Sequence, residues 1–93
     1  MKNAVSFGIC FIPKSSKAKN GTAPLYARIT VNGERIELSL QRRITLILWN
    51  EKRSRLKGHS KESKQVNPFL DHTYNKIYKA FRQLQEENKL FNR

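Results

Sequence analysis

The sequence predicts an α+β fold, a three-stranded antiparallel sheet with one face covered by a C-terminal helix. Apolar and polar residues alternate along most of the first 41 positions, and the pair Asn32-Gly33 splits the later part of that alternation. A stripe of apolar residues with a period of three to four follows near the C-terminus. A chain of 93 residues suits one modest core. The span 1–93 is therefore read as a single domain, with the sheet at about 4–41, a basic connector at 42–66 and the helix at about 67–88.

Val5, Phe7, Ile9 and Phe11 recur at every second position, the period of a strand with one buried face, and Pro13 ends the run. Residues 14–23 (KSSKAKNGTA) make a polar, basic loop with a Gly turn. A second strand begins at Pro24, with Leu25, Ala27, Ile29 and Val31 on one face and Tyr26, Arg28 and Thr30 on the other. Asn32-Gly33 predicts a type I′ hairpin turn, because both residues tolerate positive φ. In the third strand Ile36, Leu38 and Leu40 alternate with Arg35, Glu37, Ser39 and Gln41. One sheet face is thus apolar and must be covered. Val66, Leu70, Thr73, Ile77, Ala80, Phe81 and Leu84 supply the helical stripe to cover it. Asn67-Pro68 reads as cap and first-turn proline; a start near Ser60 is the alternative and makes Pro68 a kink. Between sheet and helix, the run from Ile44 to Trp49 packs on the core, and Lys52, Arg53, Arg55, Lys57, Lys61 and Lys64 make the rest basic.

The charge is lopsided: 19 Lys and Arg against 7 Asp and Glu give +12. An excess this large points to a polyanionic partner, either nucleic acid or an anionic membrane surface, with a surface tuned for solubility as the plainer reading. No stretch approaches the roughly 20 apolar residues of a membrane span. The N-terminal apolar run alternates with Ser6 and Gly8 and leads into Lys14, Lys17 and Lys19, so it reads as a strand and not a targeting segment. A cytoplasmic location is expected, which leaves the sequon Asn20-Gly21-Thr22 unglycosylated. Cys10 is the only cysteine, so no internal disulfide forms, and its place in an apolar run reads as a small core residue.

The inventory argues against an enzyme. His59 and His72 have no cysteine or paired carboxylate at metal-ligand spacing, and Gly8, Gly21, Gly33 and Gly58 are too scattered to cradle a phosphate. The acids are dispersed among basic neighbours, and Ser15-Ser16 lacks an identifiable activating base. No catalytic residue, cofactor or metal is expected.

The polar sheet face is more informative. Tyr26, Arg28 and Thr30 lie beside Arg35, Glu37, Ser39 and Gln41. A narrow sheet can enter the major groove of B-DNA, where Arg bonds guanine and Gln bonds adenine. Glu37 either accepts from cytosine or pairs with Arg28 or Arg35 across the strands. Lys14, Lys17 and Lys19 before the second strand, and Arg42 and Arg43 after the third, sit where sheet edges would meet phosphates. Ordinary cross-strand pairs on a solvated face are the alternative. The helix is more balanced, with Lys76, Lys79, Arg82 and Lys89 against Asp71, Glu86 and Glu87. Phe7, Phe11, Trp49, Phe69 and Phe81 read as core. Tyr26 is placed to stack on a base or bond a phosphate, whereas Tyr74 and Tyr78 read as packing or surface residues.

The basic first loop, the run Gly21-Thr22-Ala23-Pro24-Leu25-Tyr26, then Arg28-Ile29-Thr30, Asn32-Gly33 and Trp49 together resemble the N-terminal arm-binding domain of tyrosine recombinases. The nearest likeness is to integrases of Bacteroides-type phages and conjugative transposons. Lys57-Gly58, Asn67, Leu70-Asp71 and Ile77-Tyr78 continue it. The resemblance implies a sheet laid in the major groove of arm sites flanking the crossover region, with Arg28, Thr30, Arg35, Glu37 and Ser39 facing the groove. It also implies double-stranded DNA, the remainder of the recombinase chain and its synaptic complex as partners, with the isolated domain monomeric. Two departures stand out. Pro68 falls where the family continues a helix. The recombinase His-x-x-Arg box is absent, since Glu62 follows His59 and Asn75 follows His72 at that spacing. The chain is therefore expected to be a front end, with Phe91-Asn92-Arg93 running on into a core-binding domain. The competing functional readings are an RNA-binding or ribosome-associated basic protein, and a protein-interaction module whose charge is incidental.

Overall fold

The computed structural model describes residues 6–91, so the expected strand start at Ala4 and Val5 and the last two positions of Phe91-Asn92-Arg93 lie outside the described residues. Strands β1 (Phe7–Pro13), β2 (Thr22–Val31) and β3 (Glu34–Thr45) form one antiparallel sheet in the order β1-β2-β3. A short hairpin follows, β4 (Trp49–Asn50) with β5 (Arg55–Leu56), and then one helix, α1 (Lys61–Phe91). The expected α+β arrangement of a three-stranded antiparallel sheet and a C-terminal helix is what forms.

Two Asn-Gly pairs set the register. Asn32 and Gly33 adopt φ of 51° and 84°, the left-handed values of a type I′ turn. Asn20 and Gly21 do the same at 54° and 76°, and the Lys19 and Thr22 backbones exchange hydrogen bonds of 2.8 and 3.0 Å across them. The Gly turn expected within residues 14–23 is thus present, and the segment is more ordered than a plain loop. It comprises a single 3-10 turn at Ser15–Lys17 and a tight turn that starts β2 two residues before Pro24.

The third strand does not stop at Gln41. Tyr26 pairs with Ser39 and Pro24 with Arg43, so Leu25 alone lies opposite residues 40–42. Gln41 absorbs this bulge with φ of 58°, and its N–H donates to Ser39 Oγ at 3.2 Å. Because the excess is two residues, the alternation survives. Ile44 stays fully buried beside Ala23, and Arg43 keeps the side of the sheet that Ser39 occupies.

Along β2 the burial alternates strictly, with Ala23, Leu25, Ala27 and Ile29 inside. These pack with Phe11, Ile44, Trp49, Leu56, Val66 and Leu70 into the core. Full burial of Leu25, Ile44 or Leu70 contributes about 1.5–3 kcal/mol each.

The helix begins six residues before the expected position. Ser60 Oγ accepts the Ser63 N–H at 3.1 Å and caps α1, so Asn67-Pro68 is neither cap nor first turn. Asn67 is used differently: its amide donates to the Leu56 carbonyl and accepts the Leu56 N–H, both at 3.0 Å, clipping β5 to the helix. Pro68 lies inside the helix on its exposed side. The span 42–66 is thus not a connector but the end of β3, the small hairpin and the first turns of α1. Glu62 ties that first turn to β3, accepting the Thr45 N–H at 2.8 Å and the Thr45 hydroxyl at 2.7 Å.

The helical stripe thins along its length. Val66 and Leu70 are buried, Thr73, Ile77 and Phe81 are half-buried, and Ala80 and Leu84 are exposed. With 31 residues the helix is about 46 Å long, and it outruns the sheet it covers. Phe7 closes the last covered turn by stacking on Phe81 at 3.8 Å, with Tyr78 at 5.9 Å. Beyond the helix, Ile36 and Leu38 at the hairpin end of β3 remain 57% and 46% exposed, so the cover over the apolar face is incomplete. Cys10 is exposed and is not a core residue, because it falls on the opposite phase from Phe11.

Candidate nucleic-acid interface

The face of the sheet turned away from the helix collects side chains from all three strands. Register places Cys10 beside Arg28 and Ile12 beside Tyr26, and across the other ladder Ser39 beside Tyr26, Glu37 beside Arg28 and Arg35 beside Thr30. Period-two alternation alone brings Tyr26, Arg28, Thr30, Arg35, Glu37 and Ser39 to one face, as the sequence indicates. It equally brings Gly8, Cys10 and Ile12 there, which counting outward from Phe11 would have revealed.

Glu37 is the hub of this face. Its Oε2 accepts from Arg28 Nε at 3.1 Å, with Arg28 Nη2 in ion-pair contact at the same distance, and its Oε1 accepts from Lys14 Nζ. Lys14 stands just past β1, positioned by its own N–H donating to the Pro24 carbonyl at 2.9 Å. The Lys14 bond, then the Arg28 bond, hold the Glu37 carboxyl below its ordinary value of 4.5, against a smaller opposing effect of desolvation. The sequence offers Arg28 or Arg35 as partners for Glu37. The structure selects Arg28 and adds Lys14, 23 residues away in the chain.

A second cluster lies at the loop end of the face. Lys14 and Lys17 place their ammonium groups 5.0 and 5.6 Å from the Tyr26 ring centroid, and Lys17 donates to the Tyr26 hydroxyl at 3.3 Å. Arg43 reaches across from β3, with Nε donating to Thr22 Oγ1 at 3.0 Å and Nη2 to the carbonyls of Lys17 and Thr22 at 3.2 and 3.1 Å. It pins the 3-10 turn against the sheet, so the cations of this corner are held in place. Lys19 and Gln41 are exposed, in the Asn20-Gly21 turn and the bulge respectively.

Arg42 behaves otherwise. It shares the phase of Leu40 and Ile44 and so lies on the helix side, where its guanidinium is 4.0 Å from the Phe69 ring centroid. Of the more distant basic residues, Arg55 pairs with Asp71 of the helix at 2.5 Å. His59 and His72 are exposed, in the turn before the helix and on the helix itself. Among the described residues, no helix is long and apolar enough to cross a membrane.

A family model for arm DNA-binding domains matches residues 10–92, spanning the sheet, the small hairpin and the helix. The chain belongs to the arm DNA-binding domain family. Such domains are found at the N-termini of tyrosine recombinases, so the resemblance carried by the tyrosine- and arginine-bearing β2 and its Asn-Gly turn is to the correct group. No curated protein and no solved structure matches the chain significantly. The family match is to a DNA-binding domain.

Proposed function

We propose that this arm domain binds double-stranded DNA at arm-type sites by laying the open face of β1–β3 in the major groove, as the N-terminal module of an integrase or transposase. In that role it supports site-specific recombination and DNA integration, in the cytoplasm, with the catalytic chemistry carried by another domain of the recombinase. The observation that carries the reading is the width and charge of one sheet face. Three strands at about 4.8 Å spacing span about 10 Å, within the roughly 12 Å of the major groove. In this reading Arg28, Thr30, Arg35, Glu37 and Ser39 face base edges, Lys17, Lys19, Tyr26, Gln41 and Arg43 meet the flanking backbone, and Lys14 stays paired with Glu37. Arg42, committed to Phe69, contributes long-range charge only.

The test is enrichment of a randomised duplex library, followed by affinity on the enriched sequence, a scrambled duplex and a duplex RNA of the same sequence. Arg28→Ala is expected to cost about 1–3 kcal/mol on the enriched sequence and to relax base preference, whereas Lys17→Ala weakens all duplexes alike. Duplex RNA is expected to bind more weakly, since its major groove is too deep and narrow for the sheet. Equal or better binding to RNA would transfer the function to the RNA-binding alternative.

A further inference from the structure

Glu37 is the one acidic side chain among the described residues on the sheet face that carries Arg28, Arg35 and Arg43. Glu34 pairs with Val31 and so falls on the opposite phase, and Glu62 is engaged by Thr45. An anion at the centre of a cationic face repels the phosphates that the face is built to meet. Its geometry is nevertheless well defined, with both oxygens bonded to cations from two different elements. Lys17 and Arg43, by contrast, spend their bonds on neutral groups and keep their charge uncompensated. The face is therefore divided into a fully charged corner and a centre where one carboxylate offsets part of the charge of two cations.

We propose that Glu37 is the specificity-determining residue of the interface: by engaging Lys14 and Arg28 together, it withholds the sheet centre from phosphates and fixes Arg28 for base edges. The proposal rests on the DNA-binding reading above. With Nε of Arg28 donating to one carboxylate oxygen and Nη2 in ion-pair contact with the same atom, the guanidinium is oriented before DNA arrives, and Nη1 remains for recognition. A guanidinium fixed in advance loses little freedom on docking, so its bonds to a matched base count in full. Without the carboxylate, Arg28 and Lys14 would swing to whichever phosphate lay nearest and bind every sequence.

Two variants separate charge from positioning. Glu37→Gln is isosteric and removes the charge. It is expected to bind scrambled duplex about 3- to 10-fold more tightly at 50 mM salt, with log K falling more steeply with log salt by about two units. Library enrichment by this variant should show a weaker base pattern than that of the wild type. Glu37→Asp keeps the charge but shortens the reach. Its affinity for scrambled duplex and its salt slope should stay near wild type while the base pattern weakens. Thermal melting of both variants checks that the sheet is intact. Unchanged or weaker scrambled-duplex binding by Glu37→Gln overturns the proposal. So does an equally sharp pattern shifted from cytosine at one position, which would make Glu37 itself a base reader. If the wild type binds no duplex at all, the DNA-binding reading falls with it, a result distinct from either.

Discussion

A carboxylate held between two cations gives up its charge late on acidification. Lys14 and Arg28 keep the Glu37 carboxyl below its ordinary value of 4.5. A depressed folded-state value means that this residue's contribution to stability is present above the unfolded value and is lost as pH falls through the folded one. The loss should therefore appear only below about pH 4.5, and Glu37 should leave DNA binding flat between pH 6 and 8. Side-chain NMR titration checks this: the Glu37 carboxyl should titrate below 4.5, and Lys14→Met should raise it toward that value. At this scale the alternation of β2 and β3 already assigned Tyr26, Arg28, Thr30, Arg35, Glu37 and Ser39 to one face. What no alternation conveys is the approach of Lys14, because it depends on how the turn after β1 folds back over Tyr26.

The same contrast governs the elements. β2 was legible because every second residue is apolar and both its turns are Asn-Gly, although the strand begins two residues before Pro24, inside the stretch read as a basic loop. The end of β3 was not, because Arg42 puts a charge on the apolar phase between Leu40 and Ile44, where it is stacked on Phe69. The helix start was misleading for a chemical reason: Asn67-Pro68 imitates a cap, while Asn67 is engaged with the Leu56 backbone. Asn67→Ala should therefore leave a part-buried N–H and C=O without partners and cost about 1–3 kcal/mol in urea unfolding, with little effect on helix content by circular dichroism. Pro68→Ala should act in the opposite sense. It restores an N–H that can donate to the carbonyl four residues back, stabilising the domain by about 1–3 kcal/mol in the same measurement.

Across the whole molecule, the +12 charge is distributed unevenly in its effect. Arg55 is paired with Asp71 and Arg42 is stacked on Phe69, so neither is presented on the open sheet face. If Lys14 and Arg28 stay with Glu37 and Arg35 faces base edges while Lys17, Lys19 and Arg43 each meet a phosphate, log K for random duplex should fall with log salt at a slope of about −3. A slope near −10, approaching the full net charge, would mean that the molecule binds as a diffuse polycation with no preferred face. Sequence composition announced a polyanion partner, but only the folded sheet divides the cations among faces. Cys10 gives that division a practical use. The chain's only thiol is exposed in the middle of β1, on the side of the sheet opposite the helix, with Arg28 as its cross-strand neighbour. A maleimide dye would attach at one place, among the strands proposed to enter the groove, and its emission would register docking in real time. A bulkier adduct at the same sulfur would act as a wedge holding the duplex off, while the helix-packed core on the other side stayed undisturbed.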